Sequence, residues 1–224
     1  MASLVFDIET IGLPREALDE AQRDYLTRGA ETEEEREAEL SKLALSPLTG
    51  KVLAIGMLNP ETRSGKVLYQ DPDGTASSSD DGKIEFLPGD EAFVLRTFWE
   101  DVKRFDRIVT FNGRGFDCPF LMVRSAILGI TPSRNLVTYR YDATKHCDLL
   151  DQMTFYGATR RYNLDFYCRS FGIRSPKSEG ITGADLGPLV ERGEYRRIAE
   201  YCIGDVIATA ELYRRWNQFM NIRD

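Results

Sequence analysis

Residues 51–58 (KVLAIGML) constrain this chain more than any other stretch of it. A segment that is apolar at odd and even positions alike has no face to give to water. As a strand it must lie inside a sheet with both faces covered. Residues 4–10 read differently: Leu4, Phe6 and Ile8 fall on one side of a strand, Val5, Asp7 and Glu9 on the other. Residues 65–69 pair with 51–58 as a hairpin, and 107–111 (RIVTF) read as a short buried strand. Helical patterns cover 90–105, 118–128, the stretch around 145–151, the spacing Leu164, Tyr167, Cys168, Phe171, and a long final segment over 195–219. Strands first in a hairpin and then alternating with helices predict an α/β fold, a mixed sheet flanked by helices.

The 224 residues suit one domain with a full-sized core, 1–224, carrying a helical insertion at 14–49. That insertion is acidic and rich in Glu, Ala, Leu and Arg, and its run Glu33, Glu34, Glu35 reads as a solvated helix face. Residues 71–82 are turn and loop by composition. They are no calcium loop, because Ala76 and Gly82 stand where Gly and Glu are required. Cys118, Cys147, Cys168 and Cys202 form no C-x-x-C pair and read as reduced, buried thiols. The start MASLVFDIET lacks the basic region of a signal peptide, and no apolar run approaches the roughly 20 residues of a membrane span. The expectation is a soluble, cytoplasmic protein with no membrane partner. A net charge of −7 argues against a passive nucleic-acid coat. It argues less against an enzyme that holds cations between carboxylates, because there the metal supplies the local positive charge.

Three elements carry chemistry. Asp7 and Glu9, two apart on a strand, project from one face, where bare carboxylates repel and a divalent cation removes the cost. Asn112-Gly-Arg-Gly-Phe116-Asp117 closes a strand and opens a helix. Neither a P-loop nor a complete G-x-G-x-x-G is present. Tyr201 and Asp205, four apart, share a face of the last helix, and Asp205 lies along its apolar stripe. Each has an ordinary structural explanation when taken singly: a polar edge strand, an N-cap at Asp117, an arginine partner for Asp205 and a core tyrosine at 201.

Together, F-D-I-E-T, then N-x-x-x-F-D, then Y-x-x-x-D resemble the DEDD superfamily of 3′–5′ exonucleases. The likeness is to the tyrosine (DEDDy) subclass, and within it to stand-alone enzymes related to the proofreading domain of family B DNA polymerases. It spans almost the whole chain, including S-P-L-T-G-K-V before the second strand and Y-C-I-G-D-V at the end. The resemblance implies a ribonuclease H-like fold with a mixed five-stranded sheet and helices on both sides. It also implies hydrolysis of phosphodiester bonds at single-stranded DNA or RNA 3′ ends with two divalent cations, Mg²⁺ or Mn²⁺, about 3.5–4 Å apart. Asp7 would bridge both ions, Glu9 and Asp205 would complete the nucleophile side, and Asp117 would hold the second ion through water. Tyr201, whose unperturbed phenol titrates near about 10, would aim the attacking water rather than take its proton. The sister subclass places a histidine shortly before the last aspartate. The lone His146 lies far from that motif and reads as structural, with Asp148 as a cap or buried partner.

Thr10, Asn112 and Phe116 are placed to touch or support the terminal nucleotide. Arg160, Arg161 and Tyr162 form a basic-aromatic cluster of the kind that grips strands, with Lys145, Arg174 and Lys177 as further candidates; ordinary surface arginines are the alternative. The competing functions are a non-catalytic nucleic-acid-binding or scaffolding module, an endonuclease on the same fold, and a trans-acting proofreading subunit with a polymerase or repair partner. The sequence is silent on DNA against RNA, strandedness, processivity, oligomeric state and pathway.

Overall fold

The computed structural model describes residues 2–174 and 181–222. One sheet of seven strands organises it: β1 (Ser3–Gly12), β2 (Gly50–Leu58), β3 (Gly65–Gln70), β4 (Ser77–Ser78), β5 (Ile84–Gly89), β6 (Arg107–Thr110) and β7 (His146–Asp148). The order across it is β4-β5-β3-β2-β1-β6-β7. The apolar run forms β2, the middle strand, buried everywhere except at Lys51. β1 and β3 flank it antiparallel, while β6 lies parallel to β1 and β7 parallel to β6.

The expected mixed sheet is present, but five strands become seven. The additional pair extends the sheet beyond β3, with β5 parallel to it and the two-residue β4 closing the edge. The alternation of β5 (Ile84 and Phe86 buried, Glu85 exposed) is short and ends at Pro88-Gly89, and it is strand because β3 supplies a partner. A second correction concerns 145–151. His146–Asp148 is strand, because Ile108, Val109 and Thr110 of β6 pair with it, and helix α5 (Leu149–Met153) begins only afterwards.

The two faces of the sheet are packed by different helices. Leu4, Phe6 and Ile8 enter a layer with Val94, Leu95 and Phe98 of α3 (Glu91–Val102) and Phe120 and Leu121 of α4 (Asp117–Ile127). Val5, Val109 and Cys147 face the other layer. There α8 (Tyr195–Phe219) packs on the sheet, with α6 (Leu164–Ser170) and α7 (Leu186–Glu191) beside it. Each fully buried large apolar side chain contributes about 1.5–3 kcal/mol. The stripe Ile198, Cys202, Val206, Leu212 and Trp216 therefore fixes which side of α8 meets the sheet. Gly56 allows the approach: a Cβ there would sit 2.8 Å from Val206 Cγ2 and 3.2 Å from Cys202 Sγ.

The pairing of β1 with β2 slips between Glu9 and Thr10, which face Ala54 and Val52 and leave Leu53 as the extra residue. A bulge removes backbone groups from the ladder, and others must satisfy them. Val52 N–H donates to Glu91 Oε1 (2.8 Å), its carbonyl accepts from the Gln70 amide, and Glu91 is held by Arg124 at 2.7 Å.

The insertion contains α1 (Glu20–Leu26) and α2 (Glu33–Leu40), each opened by a capping box and neither burying a residue. Glu33, Glu34 and Glu35 occupy the first turn of α2, where acidic side chains suit the helix dipole. Leu18 and Leu43 anchor the segment, and Leu13 N–H donates to Thr49 O at 2.8 Å. Among the described residues, no helix is long and apolar enough to cross a membrane.

Candidate active site

Alternation along β1 puts Asp7 and Glu9 on the face covered by α8, and the i, i+4 spacing of Tyr201 and Asp205 brings that pair to the border of the α8 stripe. Asp117 arrives from the far side of the sheet. It is the first residue of α4, 4% exposed, and its Oδ1 accepts the Ile8 N–H at 3.1 Å. The alternative explanation of Asp117 as an ordinary N-cap does not hold. Phe116 occupies the cap position with no side-chain bond, because the Asp117 carboxylate is turned toward β1.

The four acids act on one another. Burial, then the charges of Asp117, Glu9 and Asp205, then a hydrogen bond with Asp117 push the Asp7 carboxyl well above the usual range. Burial and the charges of Asp205 and Asp117 do the same to Glu9. Asp117 is pushed up to about 7, burial outweighing the backbone N–H groups that favour its ionised form. The largest charges acting on Asp7 are all carboxylates, so the cluster carries repulsion that a cation would relieve. Burial first, and then Asp205, Glu9 and Asp7, hold the Tyr201 phenol far above its ordinary value, and it donates a hydrogen bond to Asp205.

Sequence reading missed Cys202. Its thiol approaches the Asp7 carbonyl (3.7 Å), and its sulfur lies with oxygens of Asp7 and Glu9 inside a 4.8 Å group. Burial and the neighbouring carboxylates drive its pKa up, so it stays a neutral thiol and a poor metal ligand beside hard oxygens. Its place in the α8 stripe was legible; its nearness to Asp7 depends on how α8 docks over Gly56.

The loop from β6 to α4 explains its own residues. Asn112 has φ 63°, a left-handed conformation that asparagine tolerates. A Cβ on Gly113 would stand 2.5 Å from Thr110, and one on Gly115 would stand 2.8 Å from Asn112 Oδ1. The glycines therefore serve a tight turn. Asp148 holds this turn by accepting Asn112 N–H (3.0 Å) and Arg114 N–H (2.9 Å), and it also caps α5. His146 is structural as expected. It is 1% exposed, bonded to Thr110 Oγ1 (2.8 Å) and the Leu136 carbonyl (3.1 Å), and burial depresses its pKa to about 3.

The expected nucleotide contacts separate. Thr10 is buried, and its hydroxyl donates to Ala44 O at 2.8 Å, so its side chain anchors the insertion rather than facing a ligand. Phe116 packs on Phe120 at 5.5 Å, a support under the turn. Asn112 remains partly exposed at the mouth of the turn. Arg160 lies over the Tyr162 ring at 5.0 Å, Tyr162 stacks on Phe166 at 4.3 Å, and Arg161 pairs with Asp151 at 3.4 Å. Arg174 lines a cleft of about 390 Å³ beside Tyr201, Lys145 is exposed, and Lys177 falls outside the described residues.

Residues 77–222 match a family described as a predicted 3′–5′ exonuclease related to the exonuclease domain of PolB. The chain belongs to that family. The matched segment contains Asp117, Tyr201 and Asp205 and begins after Asp7 and Glu9, which the fold brings to the same place. No curated protein matches the sequence. Among solved structures, the family B DNA polymerase of the hyperthermophilic archaeon Pyrobaculum calidifontis superposes with a TM-score of 0.63 at 21% identity, over 97% of this chain. This chain spans 25% of that polymerase's length. The likeness establishes the ribonuclease H-like fold of a polymerase exonuclease domain.

Proposed function

We propose that residues 1–224 act as one metal-dependent 3′–5′ exonuclease domain of the tyrosine subclass, removing nucleotides from single-stranded DNA or RNA 3′ ends. The observation that carries this reading is the convergence of Asp7, Glu9, Asp117 and Asp205, two of them buried and two partly exposed, into one cluster whose main charges are mutually repulsive. Four oxygen donors of this kind fit Mg²⁺ or Mn²⁺, and the neutral Cys202 thiol argues against a softer metal. Bound there, such cations would lower the pKa of a water and offset charge on the phosphate and the leaving oxygen.

The chain's own groups orient the reaction. Tyr201 keeps its proton, so it can position a water by hydrogen bonding but cannot take a proton from it. The bond from the Ile8 N–H to Asp117 Oδ1 fixes the orientation of that carboxylate toward β1. Asn112 stands at the turn preceding Asp117 and lines a cleft with Arg114 and Arg140, where it could meet a nucleotide. The four free, buried cysteines support a reducing, cytoplasmic setting.

The test uses 5′-labelled single-stranded DNA and RNA of equal sequence with Mg²⁺, Mn²⁺ or chelator. A metal-dependent ladder shortening from the 3′ end is expected, absent in Asp7→Ala and Asp205→Ala. Tyr201→Phe should slow cleavage about 10–100-fold without abolishing it, the usual cost of losing a group that orients metal-site chemistry. Equal and complete loss in all three would refute the role given to Tyr201. Binding of both strands with no cleavage of either would replace the enzyme by a binding module.

A further inference from the structure

A surface away from the four acids exposes an unusual set of rings. Tyr139, Tyr141 and Phe155 are 73%, 60% and 63% exposed. Tyr139 meets Tyr141 edge-on at 5.6 Å, and Tyr141 meets Tyr156 at 4.7 Å. The backbone holds them out. Phe155 and Tyr156 are consecutive residues at φ 50° and 59°, a region that bulky side chains avoid. Strain of this kind persists only where surrounding structure enforces it, and it gathers at functional sites. Here the bonds Tyr156 N to Asp151 O (2.6 Å) and Gln152 Nε2 to Tyr156 Oη (2.9 Å) enforce it.

Arginines are anchored at the same residue, Asp151, whose carbonyl holds Tyr156. The buried Asp151 carboxylate holds both Arg140 (2.5 Å) and Arg161 (3.4 Å), whose side chains remain about half exposed. One acid under two guanidiniums leaves positive charge on the solvent side, and Arg160 adds to it over Tyr162. Neutral donors orient the other acids of this stretch: Asp148 accepts backbone N–H groups, and Asp142 accepts the N–H and hydroxyl of Thr144. Arg114, Arg140, Lys145, Arg160 and Arg161 outnumber Asp142, Asp148 and Asp151 here, a local reversal of sign on a chain of net charge −7.

The surface reaches the turn that leads to Asp117. A cleft of about 250 Å³ is lined by Arg140, Asp151 and Arg161 together with Asn112 and Arg114 of the turn that leads to Asp117. Arg114 also donates to the carbonyls of Thr138 (2.7 Å) and Tyr139 (3.3 Å), tying the ring-bearing loop to that turn.

We propose that this surface holds the unpaired nucleic-acid strand leading to the 3′ end, with bases stacked on Tyr141 and Phe155 and phosphates against Arg140, Arg160 and Arg161. Bare rings together with cations complement bases and phosphates; an apolar protein face would leave these guanidiniums poorly solvated. The direction of the strand rests on the exonuclease reading, whereas its capture does not.

Fluorescence anisotropy in EDTA, with labelled dT5, dT15 and rU15, separates the two. The wild type should bind dT15 well above dT5. The double variant Tyr141→Ala/Phe155→Ala should lose about tenfold or more on dT15 and little on dT5, while Tyr141→Phe keeps wild-type affinity. Arg140→Gln with Arg160→Gln should flatten the salt dependence by about 1.4 in log–log slope. Equal tightening on rU15 assigns the surface to either sugar; a DNA-only effect assigns it to DNA. Unchanged dT15 binding in the double variant, or no gain with length in the wild type, overturns the proposal. Length-dependent binding without any cleavage would leave this surface standing and remove the exonuclease reading instead.

Discussion

At the residue scale, His146 shows how burial decides chemistry that residue type leaves open. The imidazole of a free histidine titrates near about 6.5. Here its Nδ1–H is matched to the Leu136 carbonyl and its Nε2 to the Thr110 hydroxyl, and burial, ahead of the charge of Arg114, lowers its pKa to about 3. Between about pH 3 and 6.5 the unfolded chain therefore binds a proton that the folded chain refuses. The contribution of His146 is complete above pH 6.5 and is lost as pH falls toward 3, at about 1.4 kcal/mol per pH unit. Because this is the chain's only histidine, its ring resonances are unambiguous in NMR. They should stay at neutral-imidazole shifts from pH 8 down to pH 5. A midpoint near 6.5 in the folded protein would show that the pocket is open to water.

At the scale of elements, the docking of α8 on β2 decides whether Tyr201 and Asp205 reach β1. Gly56 sets that distance, since a methyl there would meet Val206 and Cys202 at close range. Gly56→Ala should destabilise the fold by about 1–3 kcal/mol, the usual cost of overpacking a dense layer, read as a lower midpoint in urea with an unchanged m value. Activity should fall as well, because the shift carries both α8 residues away from Asp7. Stability like the wild type's would mean that helix and sheet are less tightly packed than this geometry requires. The insertion is an element of another kind. Its helices bury nothing, yet Thr10 and Leu43 fasten it to the end of β1, which places it beside the acids without contributing to their cluster.

At the scale of the whole molecule, the acidic cluster makes stability depend on pH and on cations. Asp117 keeps a proton up to about pH 7 in the folded, metal-free chain and loses it near pH 4 when unfolded. Its contribution is full below about pH 4 and is lost as pH rises toward 7, in the direction also set by Asp7 and Glu9. Mn²⁺ or Mg²⁺ should reverse this loss. At a hundred times its dissociation constant an ion adds about 2.7 kcal/mol, so thermal melting in EDTA should rise on adding metal, and more at pH 8 than at pH 5. Asp7→Asn should remove the increment. A melting point indifferent to both ions at pH 8 would count against a metal site in this cluster.

Local periodicity by itself determines much of this protein. The unbroken apolar run required a middle strand, the alternation of β1 put Asp7 and Glu9 on one face, and the stripe of α8 carried Tyr201 and Asp205 together. These follow from sequence because burial repeats with the period of the backbone. What depends on distant partners did not follow. β5 and β7 are strands because β3 and β6 stand beside them, and Cys202 lies at the Asp7 carbonyl because α8 docks over Gly56. Thr10 faces the insertion and not a ligand for the same reason. A short polar segment has several local conformations of nearly equal free energy, and only the contacts made on folding choose among them.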